Sequence, residues 1–321
     1  VSAKKASAVI ALIALFVLIL LIATPPRDVC IGTMEVTVFG IGRADAILIT
    51  TENHAVMIDT GENRHGEYLV TRLAELGIGR LDYLIITHFD SDHVGGAHVI
   101  IDHFEIGEVI VPNYSRESRH MERFNDAVRR AGLVPYVLME PRRFTLDNTD
   151  FIIDPSGLGY VYIPRYEDIS DYEHDDDRFS LEYTADHVPV GDNFSIVTVV
   201  SHGDNHFLFM GDAMEIRLEE VLANDTLMAL DYAFVKLPRH GRFTGRGLEL
   251  IHTTRPRYAV ITGFHPADIE TYYPERPADE RVIYAVEYVG AEVFFTMSEG
   301  VRMVSGADGT ISVTEIKYKG E

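Results

Sequence analysis

The sequence predicts an α/β fold in which two β-sheets are flanked by helices, preceded by an N-terminal transmembrane helix. Three observations support this. From Met34 onward, short Val- and Ile-rich runs alternate with stretches of amphipathic helical spacing. The last runs, Glu292–Thr296, Val301–Val304 and Thr310–Val313, follow one another as a closing β-meander, which a single parallel sheet would not produce. Ahead of the whole pattern, Ala8–Ala23 is apolar on every helical face, so it suits lipid better than a protein core.

The elements follow in order. Lys4 and Lys5 precede the apolar stretch and place the N-terminus in the cytoplasm. Residues 1–30 are therefore a signal anchor and linker that contacts the membrane through residues 8–24, with residues 31–321 outside the cytoplasm. Secretion after signal cleavage is the alternative, although no clear A-x-A site follows the stretch. Met34–Phe39, Ala46–Thr50 and Ala55–Ile58 read as strands, and Glu67–Leu76 as a helix closed by Gly77. Leu81–Ile86, apolar apart from Asp82, reads as a buried strand. Further strands are expected at Glu108–Val111, Val134–Leu138, Phe151–Ile153, Ser195–Val200, His206–Met210, Tyr232–Lys236 and Tyr258–Thr262. Helices are expected at Ser118–Ala131, Met214–Leu222, Gly247–Thr253 and Asp279–Val289. Residues 157–191 are weakly periodic and acidic, an insertion at the rim of the fold whose charges are solvated.

Composition narrows the function. The 28 basic and 50 acidic residues leave a net charge of −22, which repels nucleic acid and anionic lipid at long range. An anionic substrate therefore needs a local positive site. Cys30 is the single cysteine, so neither an internal disulfide nor a cysteine-held metal can form. The densest basic stretch, Arg116–Arg143, is interleaved with Glu117, Glu122, Asp126 and Glu140, and reads as a solvated helix face rather than a DNA track.

The chemistry concentrates in Thr87-His88-Phe89-Asp90-Ser91-Asp92-His93-Val94-Gly95-Gly96, directly after the buried strand. A strand end is a rigid mount, and two imidazoles and two carboxylates in His88–His93 are the ligand types that hold Zn²⁺, Mn²⁺ or Fe. A polar loop with Asp92 as a helix cap would explain one His–Asp pair, but not four such residues at this spacing. His54, His65, His98, His103, His120, His187, His252 and His265 lie outside any ligand spacing; His202 and His206 flank a hairpin turn.

This segment, H-x-[HD]-x-D-H after an apolar strand, resembles the metallo-β-lactamase superfamily, whose fold is a four-layer αββα sandwich. The remaining motifs agree in order: Met57-Ile58-Asp59-Thr60-Gly61, Met210-Gly211-Asp212 and Lys236-Leu237-Pro238-Arg239-His240-Gly241. The branch it resembles is the metallo-hydrolase domain of ComEC-type DNA-uptake proteins, through Phe39-Gly40-Ile41-Gly42-Arg43-Ala44-Asp45-Ala46 and Asp192-Asn193-Phe194-Ser195. There are departures. Asp90 replaces the second His of most of the superfamily, as that branch also tends to do. Asp192 or Asn193 stands where the third-motif His is expected. Arg239-His240-Gly241-Arg242 replaces His-His-Gly-Ser, and Arg276-Pro277 replaces a late His-Pro pair.

The resemblance implies two divalent ions, Zn with Mn or Fe as alternatives. His88, Asp90 and Asp212 would hold the first, and Asp92, His93, Asp212 and His240 the second, with Asp59 orienting the loop from behind. Asp92 and Asp212 would be the catalytic carboxylates, Asp92 taking a proton from the attacking water. Arg239 and Arg242, with Asn193, would bind substrate, since guanidinium suits phosphate. The activity implied is a two-metal phosphodiesterase or phosphoesterase acting on an anionic small molecule or polymer, nucleic acid among the candidates. A lactone, lactam or thioester hydrolase of the same fold is the alternative. So is a degenerate, non-catalytic binding module, given the missing third-motif His.

Overall fold

Strands that are covered on both faces need apolar residues at consecutive positions rather than alternate ones, and this chain supplies them. A computed structural model describes residues 32–163, 191–268, 277–297 and 299–317. The expected transmembrane helix, Cys30 and most of the acidic insertion lie outside these residues. None of the described helices is long and apolar enough to cross a membrane.

The first half gives β1 (Thr33–Val38), β2 (Ile47–Thr50), β3 (Ala55–Ile58), β4 (Arg80–Ile85), β5 (Glu105–Val111), β6 (Tyr114–Arg116), β7 (Tyr136–Val137), β8 (Arg142–Leu146), β9 (Thr149–Asp154) and β10 (Val161–Ile163). The second half gives β11 (Val197–His202), β12 (Asn205–Phe209), β13 (Tyr232–Lys236), β14 (Tyr258–Ile261), β15 (Glu292–Phe295), β16 (Glu299–Gly306) and β17 (Ile311–Lys317). They form an eight-stranded sheet, β17-β16-β1-β2-β3-β4-β5-β7, a seven-stranded sheet, β15-β14-β13-β12-β11-β9-β8, and a small β10-β6 pair.

Side-chain parity sorts the layers. Ile47, Ile49, Val56, Ile58 and Ile85 of the first sheet meet Phe151, Ile153, Phe207, Phe209 and Phe234 of the second in one central core. The opposite face of the first sheet, through Leu48, Met57, Leu84 and Val109, is covered by Leu69, Leu73, Ile100, Phe124 and Val128 of helices Gly66–Glu75, Ala97–His103 and Arg119–Arg130. Val199, Leu208, Val235 and Ile261 on the outer face of the second are covered by Leu218, Val221, Leu250, Val282 and Val286 of helices Glu215–Leu222, Gly245–Thr254 and Glu280–Tyr288. Helix, sheet, sheet, helix is the expected four-layer order. Caps at Ser118, Thr244 and Asp279 start three of these helices by accepting backbone N–H bonds.

Two expectations need correction. The closing strands are not a meander. β15 follows the helix Glu280–Tyr288 and pairs in parallel with β14 in the second sheet, whereas β16 and β17 form a hairpin on β1 in the first. A strand–helix–strand crossover fixed β15 in place before the chain changed sheets. The stretch Arg116–Arg143 is also not one helix face: Arg142 and Arg143 lie on β8, an edge strand whose alternating exposure suits its charges.

One buried cation ties the second sheet to the loop that feeds the site. Arg217 is 1% exposed. Its Nη2 donates to the carboxylate and carbonyl of Asp154, its Nε to Ser195 O, and its Nη1 to Glu220. Removing it leaves Asp154 buried and unpaired. Arg217→Ala is expected to cost about 3–5 kcal/mol, measured by urea unfolding, with the loss shared by the Gly191–Phe194 turn.

Candidate metal centre

Parallel strands present their C-terminal ends on one side, and those of both sheets meet here. β3 runs parallel to β4, and β12, β13 and β14 run parallel to one another. Asp59 follows β3, Thr87 and His88 follow β4, Asp212 follows β12, His240 follows β13 and Thr262 follows β14. The turns are strained. Asp59 sits at φ 57, and Arg239, His240 and Gly241 are consecutive left-handed residues at φ 50, 54 and 77. Each non-glycine in that region costs about 1–3 kcal/mol. Gly211 has φ +52, and a Cβ there would lie 2.9 Å from Thr87 Cβ, so only glycine lets the two sheets' loops touch.

Asp59 is fully buried and accepts hydrogen bonds from the loop after β4. Its Oδ1 accepts from Thr87 N at 2.8 Å and its Oδ2 from Thr87 Oγ1 at 2.6 Å. His93 Nδ1 lies 2.8 Å from the same Oδ2 and donates to it, which turns His93 Nε2 inward. His240 Nδ1 donates to Thr262 O at 3.0 Å, so its Nε2 also faces inward, 3.2 Å from Asp92 Oδ2 and 3.3 Å from Asp212 Oδ2. His93 Nε2 stands 3.4 Å from Asp212 Oδ1. Asp92, His93, Asp212 and His240 can thus present ligand atoms within 4.8 Å of one another. These are the four residues the sequence assigned to the second ion.

The residues fit a cation. Among the described residues, His93 Nε2 and Asp212 Oδ1 of this quartet are buried polar atoms without a hydrogen-bond partner, a cost the fold bears only where something else supplies the contact. Burial alone would strip the proton from His93, yet the carboxylates of Asp212, Asp92, Asp59 and Asp45 outweigh it and raise its pKa well above the ordinary value. Burial likewise opposes a proton on His240, and Asp212 and Asp92 overcome it. Burial would raise the carboxyls of Asp92 and Asp212, but the facing imidazoles hold both far below the usual carboxylate range. Negative charge is in excess, and a divalent ion is the natural counterpart for two carboxylates and two imidazoles.

A second group, His88, Asp90 and Asp192, converges beside the first. His88 Nδ1 lies 3.1 Å from Thr87 Oγ1, and its Nε2 is 3.9 Å from Asp192 Oδ1. The sequence assigns Asp212 to both ions; here it joins Asp92, His93 and His240, while Asp192 converges with His88 and Asp90. Asp192, rather than Asn193, projects inward. Asn193, expected at the substrate, instead accepts the backbone N–H of Arg217 through its Oδ1 at 3.3 Å. Arg239 was expected on the rim but is buried, its Nε 3.1 Å from Asp192 Oδ2. Arg242 is half-buried on the far side of the same turn. Arg276 of the altered late motif lies outside the described residues.

Three participants were not assigned a role from sequence. Lys236 is fully buried at the end of β13, paired with Asp45 and donating to Gly211 O at 3.0 Å. Asp45 stands 3.6 Å from His240 Nδ1. Arg116, on β6, pairs with Asp90. A lysine closing an otherwise apolar strand was the available signal for the first; the arginine gave none.

The metallo-beta-lactamase superfamily domain matches residues 40–261, more than half of the chain and the span that carries both ligand groups. The chain belongs to the metallo-beta-lactamase superfamily. Within that superfamily it is 23% identical over 246 residues to ComE operon protein 3 of Bacillus subtilis, covering 71% of this chain and 28% of that protein. It is 25% identical over 236 residues to Recombination protein 2 of Haemophilus influenzae, covering 72% and 24%. It is 34% identical over 76 residues to Competence protein ComA of Neisseria gonorrhoeae, covering 23% and 11%. The chain therefore spans at most 28% of the length of these relatives. The matches agree with the ComEC-type motifs.

If Asp59 sets the direction of His93, Asp59→Asn should leave the fold intact and weaken metal affinity about 10–100-fold. Competition of the purified protein against a chromophoric chelator, beside a circular-dichroism spectrum, checks it.

Proposed function

We propose that this metallo-beta-lactamase-fold chain is a metal-dependent hydrolase that cleaves a phosphoester, a phosphodiester above all. The observation that carries the reading is the convergence of Asp92, His93, Asp212 and His240, with inward-facing Nε2 and carboxylate atoms. A divalent ion bound there would polarise a phosphoryl oxygen and acidify a water near neutral pH. The chain's own residues do the rest. Asp92 is the member of the quartet that reaches solvent, its side chain 14% exposed, and its carboxylate stays ionised to accept a proton from an entering water. Asp212 turns Oδ1 towards His93 and Oδ2 towards His240. Thr262 and Asp59 keep His240 and His93 from turning.

Phosphate is favoured by the cations on the rim. Arg43 is half-buried and lies close enough to His240 to oppose its protonation, and Arg242 follows His240 on the same turn. Guanidinium matches phosphate oxygens in pairs. The competence and recombination proteins among the relatives support a nucleic-acid-derived substrate. A long basic track does not: Arg129, Arg130 and Arg142 pair with Asp126, Asp102 and Glu108. The substrate that suits this surface is a single phosphodiester presented at a strand end or in a small molecule. We further propose, from Lys4 and Lys5 ahead of the apolar run Ala8–Ala23, that the domain lies outside the cytoplasm, anchored through residues 8–24.

Bis-(p-nitrophenyl) phosphate is the probe. Turnover should require added Mn²⁺ or Zn²⁺ and fall to background in Asp92→Ala and His240→Ala, while Arg242→Ala should raise KM with kcat little changed. Turnover persisting in both ligand variants sinks the assignment. Hydrolysis of a thioester or lactone panel without phosphodiester cleavage would move the activity to the acyl-transfer side of the superfamily.

A further inference from the structure

We infer that this chain holds one divalent ion rather than two, and that the guanidiniums of Arg116 and Arg239 stand in for the second. The inference rests on the metal-centre reading above and concerns how that centre is built. The two ligand groups differ in what neutralises them. Around His93 lie the carboxylates of Asp45, Asp59, Asp92 and Asp212, with Lys236 as the fixed cation among them. In the neighbouring group, His88, Asp90 and Asp192 converge, but each carboxylate already faces a guanidinium. Arg116 Nη1 pairs with Asp90 Oδ1, and Arg239 Nε lies 3.1 Å from Asp192 Oδ2. Two carboxylates against two guanidiniums and one buried imidazole leave no net negative charge to attract a dication.

Chemistry makes the substitution durable. A histidine or lysine can shed its proton to admit a metal, whereas arginine keeps its charge at any working pH. Arg239 is 7% exposed and Asp192 4%, so displacing the guanidinium would strand a buried, uncompensated cation. Its backbone is fixed as well, at φ 50 in the strained turn that also sets His240. The Arg239 side chain is held where the second ion of a binuclear centre would need an open ligand. Arg116, with 34% of its side chain exposed, is the more displaceable of the two. The positive charge beside the reacting group is therefore partly covalent, and chelators cannot remove it.

Metal counting decides this independently of activity. Full-length protein is loaded with Mn²⁺ or Zn²⁺, freed of excess by gel filtration and analysed by inductively coupled plasma mass spectrometry. The expected content is about one ion per chain in the wild type and about two in the Arg116→Ala/Arg239→Ala double variant, which exposes His88, Asp90 and Asp192. Cobalt-loaded wild type should give the electron paramagnetic resonance signal of an isolated high-spin ion, and the double variant that of a coupled pair. Should the double variant not fold, Asp90→Asn/Asp192→Asn gives the same answer: its metal content should equal that of the wild type. Two ions in the wild type, one ion in a folded double variant, or a loss of metal in Asp90→Asn/Asp192→Asn each overturns the inference while leaving a metal centre in place. No ion in the wild type overturns both.

Discussion

Four carboxylates, those of Asp45, Asp59, Asp92 and Asp212, surround one buried imidazole, His93. That crowding is the constraint on which the rest of the site depends. Burying like charges together is unfavourable unless a cation shares the space, and Lys236 compensates only part of it, chiefly at Asp45. The remainder is a standing demand for positive charge. Protons on His93 and His240 can meet it, and so can a divalent ion, which binds the same inward-facing nitrogens. Metal uptake and the stability of the native state are therefore linked: whatever occupies the cage stabilises the fold that forms it. The sheets supply the rigidity that keeps the carboxylates from moving apart: Asp59 and Asp212 sit one and three residues beyond buried strands.

How much of this was legible in the sequence depends on how far apart the cooperating residues are. His88, Asp90, Asp92 and His93 lie in one segment after one apolar strand, and chemistry alone marks them. Asp212 and His240 each follow a strand at a glycine-bearing turn, so pattern and resemblance together found them. Asp192 and Asn193 remain alternatives in the sequence. The choice between them is made by the short turn Gly191–Phe194, where a shift of one residue exchanges the side chain that faces the site for the one that faces Arg217. No local signal encodes that shift. Arg116 is set by the pairing of β6 with β10, a contact between distant segments. The fate of β15 is of the same kind: its sequence says strand, while sheet membership is decided by the helix packed before it.

Net charge shows a similar division between global and local. A chain carrying −22 should repel phosphate at a distance, yet guanidiniums gather at the one place where the strand ends meet. The basic stretch that looked most promising on composition is spent on ion pairs: Arg130 with Asp102, Arg142 with Glu108. Arg43 and Arg239, scattered in sequence, join Lys236 beside the ligand groups. On so acidic a surface, guanidiniums beside the ligand groups can attract an anion only at short range.

The turn Arg239-His240-Gly241 joins the two ligand groups. Its left-handed backbone is costly, and it persists because several contacts fix it at once. His240 Nδ1 is held by Thr262, Gly241 O accepts from Asp279 N at 2.9 Å, and Arg239 reaches Asp192. A relaxed turn could not aim an imidazole at one ligand group and a guanidinium at the other from adjacent residues. Side chains of neighbouring residues diverge in extended or helical backbone. Only a tight reversal lets Arg239 and His240 serve adjacent groups in the same pocket. The strain is thus a geometric requirement of a centre in which a metal ligand and a fixed cation must be side by side.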